Sequence, residues 1–283
     1  MRVANQQTEA LDGVQRLTIA RSAHIEGLGV ITGRQIKVRL EPGDEGIVFC
    51  RDDTGLKTRT SVQTARLGPS WSAVGEGDAQ VNIVEHLLAA LAATGITDVT
   101  VIVNGPELPL LDGSAWPWLE ILDQCGTEEL AGEIEPIVID QAFSVADCQA
   151  GYTMVISPSD TWRLVYVLDW DHHLVGTQVA RLTVSRDEFA KVARARTFAR
   201  YEDIQAALQA GVFSAGSEEN VVVIYEDRLS AQQPVDNGFA CHKLVDLIGD
   251  MYLTGRPWRA QVVAYNSGHA LNHQLIKQAT QPR

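Results

Sequence analysis

Segments with strand patterning come in runs in this chain and helical segments come in pairs; nowhere do strand and helix alternate one for one. A doubly wound parallel sheet needs that alternation, so the grouping favours an α+β fold. From Arg16 to Leu40 the pattern is strand, turn, strand, with Ile36, Val38 and Leu40 alternating on the way out. Between them lies Gly27-Leu28-Gly29-Val30-Ile31-Thr32-Gly33, which superficially resembles a dinucleotide fingerprint. A strand follows it rather than a helix, so a glycine-rich hairpin turn is expected.

The stretch from Asp52 to Asp78 reads as irregular and polar. Val81 to Gly95 has helical spacing, with Gly95 as the stop. Val99 to Val103 is a strand and Pro106 to Ser114 a loop. Ser114 or Asp112 can cap a short helix from Ala115 to Cys125. A second round begins near Ile134, with short strands through Val155 and from Leu164 to Leu168. Helices are expected over Arg186–Arg194, Tyr201–Ala210 and Phe239–Leu253, strands over Val221–Tyr225 and Gln261–Tyr265, and a last helix after a Ser-Gly-His turn. The acidic stretch from Gly126 to Glu135 is the best linker, giving two domains, 1–130 and 131–283. No residue-level repeat relates the halves.

A chain of 283 residues with 45% hydrophobic residues can bury a sizeable core. Its net charge of −13 disfavours nucleic acid as a partner, although a local basic pocket can still hold a phosphorylated small molecule. Cys50, Cys125, Cys148 and Cys241 form no CxxC pair, which fits free thiols in a reducing cytoplasm. Met1 to Gly13 is polar and lacks the apolar stretch of a secretory signal. No apolar run approaches the roughly 20 residues of a membrane span, and peripheral contact with a membrane surface stays open.

Three segments can carry chemistry. On a helix, His242 and Asp246 are four apart and share a face, where imidazole and carboxylate can chelate one metal ion. Asp250 lies one turn further, and Lys243 sits beside the pair. The same spacing also fits a solvated polar stripe. Glu85 and His86 stand side by side at an apolar helix start, where they would supply a third ligand and an adjacent general base, or else a helix-end carboxylate and a packed histidine. Two histidines and a carboxylate leave a zinc position open for water, as hydrolytic sites require. His269, in a glycine-containing turn after a strand, is placed to act as a general acid or to be a surface histidine. His172-His173 reads as a surface pair, and His24 and His273 have no partner by sequence. Ser267 lacks a G-x-S-x-G elbow, which disfavours a serine hydrolase.

In order, Val84-Glu85-His86-Leu87, Gly105-Pro106-Glu107-Leu108-Pro109-Leu110-Leu111-Asp112-Gly113-Ser114, Ala195-Arg196-Thr197-Phe198, His242 to Asp250 and Ser267 to Asn272 resemble the UDP-3-O-acyl-N-acetylglucosamine deacetylases of lipid A biosynthesis. The resemblance implies two similar α+β domains that sandwich their helices between sheets, with the active site between them. It implies a zinc or ferrous ion on His86, His242 and Asp246, Glu85 as general base and His269 as general acid. Asp250 would orient His269, Thr197 would help hold the oxyanion, and Lys243, Phe198 and Arg196 would contact an acylated UDP-amino-sugar. Lys243 and Arg196 are the candidates for its diphosphate. Leu164 to Trp170, with Leu174 and Val175, could line an acyl passage or be an ordinary core strand. A cytoplasmic monomer is expected.

The chain also departs from the family pattern. Ile31 stands where the family's glycine turn has a histidine, Cys241 where an arginine often precedes the His-Lys pair, and His172-His173 where a His-Pro is usual. None of these removes a metal-ligating or catalytic residue, and they leave open a diverged paralogue acting on another N-acetylated sugar. A non-catalytic binding protein on the same fold is a further reading, whose sign would be loss of Glu85 or His269, and both are present.

Overall fold

The computed structural model describes residues 13–281 apart from 210, 212 and 214. The N-terminal stretch read as free of a secretory signal lies, but for Gly13, outside the described residues. The first half runs β1 (Val14–Ile19), β2 (Ala23–Leu28), β3 (Gln35–Glu41), β4 (Ile47–Arg51), β5 (Lys57–Arg59), β6 (Ala65–Leu67), β7 (Ser72–Val74), β8 (Val81–Asn82), α1 (Glu85–Thr94), β9 (Val99–Val103) and α2 (Trp116–Cys125). The second runs β10 (Thr127–Ile134), β11 (Ile137–Val138), β12 (Phe143–Asp147), β13 (Tyr152–Pro158), β14 (Arg163–Trp170), β15 (Gly176–Thr183), α3 (Arg186–Ala190), β16 (Phe198–Arg200), α4 (Tyr201–Gln209), β17 (Val222–Ile224), α5 (Gly238–Tyr252), β18 (Trp258–Tyr265) and α6 (His269–Ala279).

The two main sheets repeat one topology. The first has the order β2-β3-β9-β4-β5 and the second β12-β13-β18-β14-β15, with β11 added beside β18. In each, a hairpin pairs antiparallel with a late central strand, β9 or β18, which runs parallel to the first strand of a second hairpin. The duplication lives in strand order, which is why residue comparison of the halves misses it.

Alternation sets which face is inside. Ile36, Val38 and Leu40 point into the core from β3, as expected, while Leu164, Tyr166 and Leu168 do so from β14. One continuous apolar core takes in both sheets, α1 and α5. Leu87, Leu88 and Leu91 of α1 are fully buried, each worth about 1.5–3 kcal/mol of burial. The alanine-rich face of α1 lets α5 approach closely. A Cβ on Gly249 of α5 would lie 2.0 Å from the Glu85 carbonyl oxygen, so only glycine fits at that crossing.

Several expected boundaries shift. The acidic stretch expected as a linker is strand β10, paired antiparallel with β1. The helix expected from Val81 begins at Glu85, because Val81 and Asn82 pair with β7 instead. Gly95 ends it in the left-handed conformation, φ 74°, as its position predicts. The helix expected to run to Arg194 stops at Ala190; Ser185 caps its start by accepting from the Glu188 amide. Asp52 to Asp78 holds β5, β6 and β7. Helix α4 matches the expected one as far as Gln209; Ala210 lies outside the described residues. No helix among the described residues is long and apolar enough to cross a membrane.

Candidate metal centre and active site

The start of α1 is built by β7. Ile83 takes a positive φ of 61°, which swings the chain from β8 into the helix. The Ser72 carbonyl accepts from the Ile83 and Val84 amides at 2.9 and 3.3 Å, which satisfies donors that a helix start otherwise leaves open. Glu85 and His86 therefore sit in the first turn of α1, both buried.

Across the crossing, α5 presents His242 and Asp246 one turn apart, as the four-residue spacing predicts. His86 Nε2 lies 3.1 Å from His242 Nε2 and 3.5 Å from Asp246 Oδ1. His242 Nδ1 lies 3.5 Å from Asp246 Oδ2, and one donor atom from each of the three residues falls within 4.8 Å of the others. The Nδ1 atoms of His86 and His242 are buried without a hydrogen-bond partner. Two nitrogens and a carboxylate converging in a buried site, with imidazole valences unspent, suit a divalent cation. Among the described residues no other such cluster occurs.

The charges agree. Burial drives the His242 pKa down to about 3 against the pull of Asp246, so the ring is neutral and its lone pair available. Burial raises the Asp246 pKa, but His242 and Lys243 outweigh it and hold the carboxyl well below its usual range. Lys243 Nζ donates to Asp246 Oδ2 at 2.9 Å.

Glu85 and His269 stand at opposite settings. Burial pushes the Glu85 pKa up to about 7, moderated by His269 and His86. His269 opens α6 rather than sitting in the turn before it, and its side chain keeps 11% exposure. Burial would lower its pKa, but Asp250 overcomes this by charge and by a 2.8 Å bond from Nδ1, lifting it to about 9. A base near neutrality and an acid above it are the settings that general base and general acid need.

The remaining expected residues fall around this centre in different ways. Phe198 packs edge-on to His242 at 5.9 Å, and Lys243 Nζ lies 5.6 Å from its ring centroid. Thr197 next to it is half-buried and fixed by its backbone, its amide donating to the Gly113 carbonyl and its carbonyl accepting from Val222. Arg196 donates from Nε to the Asp112 carbonyl and from Nη2 to those of Glu218 and Glu219, joining two loops. The β14 stretch packs Leu164 and Leu168 into the core, and only Trp170 at its end reaches Phe198, at 5.4 Å. His172 and His173 stack on each other, their ring centroids 5.1 Å apart.

Sequence reasoning missed three residues. Asn272 donates to Asp250 Oδ2 at 2.7 Å, and Ser72 Oγ bonds both Asp250 and His273. His273 was expected to have no partner; it has one because residue 72 arrives from a distant strand. Its spacing four residues after His269 was the available signal. Glu107 is also fully buried, accepting from the Ile31 amide, the Thr32 amide and the Thr32 hydroxyl. Its bond at position 31 is to the backbone amide, which does not depend on the residue type there.

Residues 16–281 match the family model for UDP-3-O-acyl N-acetylglycosamine deacetylase. A protein named UDP-3-O-acyl-N-acetylglucosamine deacetylase from Myxococcus xanthus is 33% identical over 92% of this chain and 84% of its own length. Proteins of the same name from Anaeromyxobacter sp. and Campylobacter fetus are 35% and 31% identical, over 92% and 93% of this chain and 86% and 90% of their own lengths.

Proposed function

Because the chain belongs to the UDP-3-O-acyl-N-acetylglycosamine deacetylase family, we propose that it hydrolyses the acetamide of UDP-3-O-acyl-N-acetylglucosamine to acetate and UDP-3-O-acyl-glucosamine, an early step of lipid A biosynthesis in the cytoplasm. The observation that carries this reading is the convergence of His86, His242 and Asp246, with Glu85 beside them, in one buried cluster. These three side chains would hold one zinc or ferrous ion. Such an ion supplies Lewis acidity that polarises an amide carbonyl and acidifies water.

The chain's own groups then divide the proton work. Glu85 accepts a proton from the attacking water as the new C–O bond forms. His269 Nε2 faces away from the Asp250 contact at Nδ1, and it donates a proton to the nitrogen as the C–N bond breaks. Thr197 would contribute a donor to the developing oxyanion. Lys243 and Phe198, which flank His242, would meet the sugar and its phosphates, while Arg196 shapes the loop that carries Thr197. The duplicated sheets support reading the chain as two domains that meet near residue 130.

Incubating the purified, metal-loaded protein with UDP-3-O-acyl-N-acetylglucosamine and measuring acetate tests the reading. Release at a rate well above that from UDP-N-acetylglucosamine is expected, since remote binding energy must select one acetamide among many. Equal kcat/KM for the two would remove the acyl chain from recognition. The diverged positions Ile31, Cys241 and His173 would then favour another N-acetylated sugar.

A further inference from the structure

Behind the catalytic groups lies a buried network that the proton transfers do not use. Ser72 is fully buried on β7 and spends its polar groups on three helices, α1, α5 and α6. Its carbonyl holds the start of α1, as described above. Its amide donates to Glu85 Oε2 at 3.1 Å. Its hydroxyl lies 2.5 Å from Asp250 Oδ1 on α5 and 2.8 Å from His273 Nε2 on α6.

The proton directions follow from valence. The Asp250 carboxyl, whose pKa is lowered by His269 against the opposing effect of burial, is ionised and can only accept. A serine hydroxyl has one proton, which must therefore go to Asp250. The contact with His273 can then be made only if His273 donates, so the proton is on Nε2. His273 is buried and its pKa is lowered by that burial, so it serves as a neutral donor. Asp250 thereby receives three donors: Ser72 on Oδ1, and His269 and Asn272 on Oδ2. The Ser72 bond fixes the rotation of the carboxylate, and with it which oxygen faces His269.

We propose that Ser72 and His273 are positioning residues for this reaction: the chain His273 Nε2–H to Ser72 Oγ–H to Asp250 fixes the carboxylate that orients the acid, while the Ser72 amide fixes the base Glu85. One residue thus keeps base and acid in register across β7, α1, α5 and α6. This inference rests on the deacetylase reading above.

The test begins with the wild-type protein. Selective ¹⁵N labelling of histidine and NMR, with His273 identified by its loss in His273→Gln, reads the tautomer directly. A protonated Nε2 is expected; a protonated Nδ1 overturns the proposal whether or not any variant is active. In the acetate assay, Ser72→Ala should lower kcat roughly 10-fold or more, with KM and metal content little changed. His273→Leu should lower kcat several-fold. His273→Gln, whose amide can donate from a similar position, should restore most of it. The double variant Ser72→Ala/His273→Leu should be no slower than Ser72→Ala, because His273 acts only through Ser72. Equal losses for Leu and Gln, additive losses in the double variant, or a Ser72→Ala enzyme with wild-type kcat would each sink the proposal. An inactive wild-type protein that still shows the Nε2–H tautomer would instead count against the deacetylase reading alone.

Discussion

His86 on α1 and His242 on α5 are 156 residues apart in the chain, and their Nε2 atoms lie 3.1 Å apart in the core. Two imidazole nitrogens facing each other this closely can share at most one proton, and both rings leave Nδ1 without a hydrogen-bond partner. A cation relieves that arrangement where a hydrogen bond satisfies it only in part. We therefore expect about one divalent ion per chain by elemental analysis. Removing it with a chelator should lower Tm, and restoring zinc should raise it again, as for any ligand bound by the folded state alone. His86→Ala and Asp246→Ala should each abolish stoichiometric binding. Retention of a full equivalent in both would rule out this ligand set.

The pKa settings of Glu85 and His269 give a bell-shaped profile for kcat/KM. In its proposed role Glu85 works ionised, so activity is expected to rise with pH along an acidic limb. Burial places its pKa near 7, and a bound cation favours the carboxylate, so the limb should lie at or below about 7. In its proposed role His269 works protonated, so activity is expected to fall through a basic limb near 9. The two groups interact, and the limbs belong to the site as a whole. Glu85→Gln should keep the metal and lose roughly 10²-fold or more in kcat. Near-normal turnover in that variant would take Glu85 out of the reaction.

Asp250→Asn separates charge from shape. Without the carboxylate, burial dominates and the His269 pKa falls, so the basic limb should move to lower pH as kcat drops. Stability carries the same sign. A histidine whose folded pKa is raised from 6.5 to about 9 adds stability that is complete below 6.5 and lost as pH rises through 9. The pH dependence of Tm between those values should therefore be steeper in the wild type than in Asp250→Asn. An unshifted basic limb would show that it reports another group.

Much of this site was legible because helices have a fixed period. His242, Asp246 and Asp250 follow at intervals of four, and that spacing alone places them on one face. The neighbouring Glu85 and His86 could be seen, but not which segment they would meet, since this depends on how α1 crosses α5. Ser72 carried no signal: it is a lone small polar residue in a stretch whose strands are only three residues long. Strand β10 was mistaken for a linker for a related reason. None of its residues is fully buried, so it lacks the alternation that marks a strand and is held by pairing with β1.

Gly249 gives a test of the crossing itself. It lies between the proposed ligand Asp246 and the end of α5, on the side that meets α1. An added Cβ would sit 2.0 Å from the Glu85 carbonyl oxygen, 2.7 Å from its carbonyl carbon and 2.9 Å from its Cα. All three atoms are backbone, so no side chain can swing aside. Relief must come from moving α1 away from α5 by about 1 Å or more, or from distorting the first turn of α1. Either movement carries Glu85 and His86 together, because they are consecutive residues of that turn. Overpacking of this kind costs about 1–3 kcal/mol. The loss at the site should be larger than that figure suggests, since His86 and Glu85, the proposed ligand and base, are displaced from His242 and Asp246 at once. Gly249→Ala is therefore expected to stay folded by circular dichroism, with a lowered Tm, weakened metal affinity and kcat/KM reduced more than 10²-fold. Full metal affinity and activity in a folded Gly249→Ala protein would show that the site tolerates a wider crossing, and that the close approach of α1 to α5 is not what aligns it.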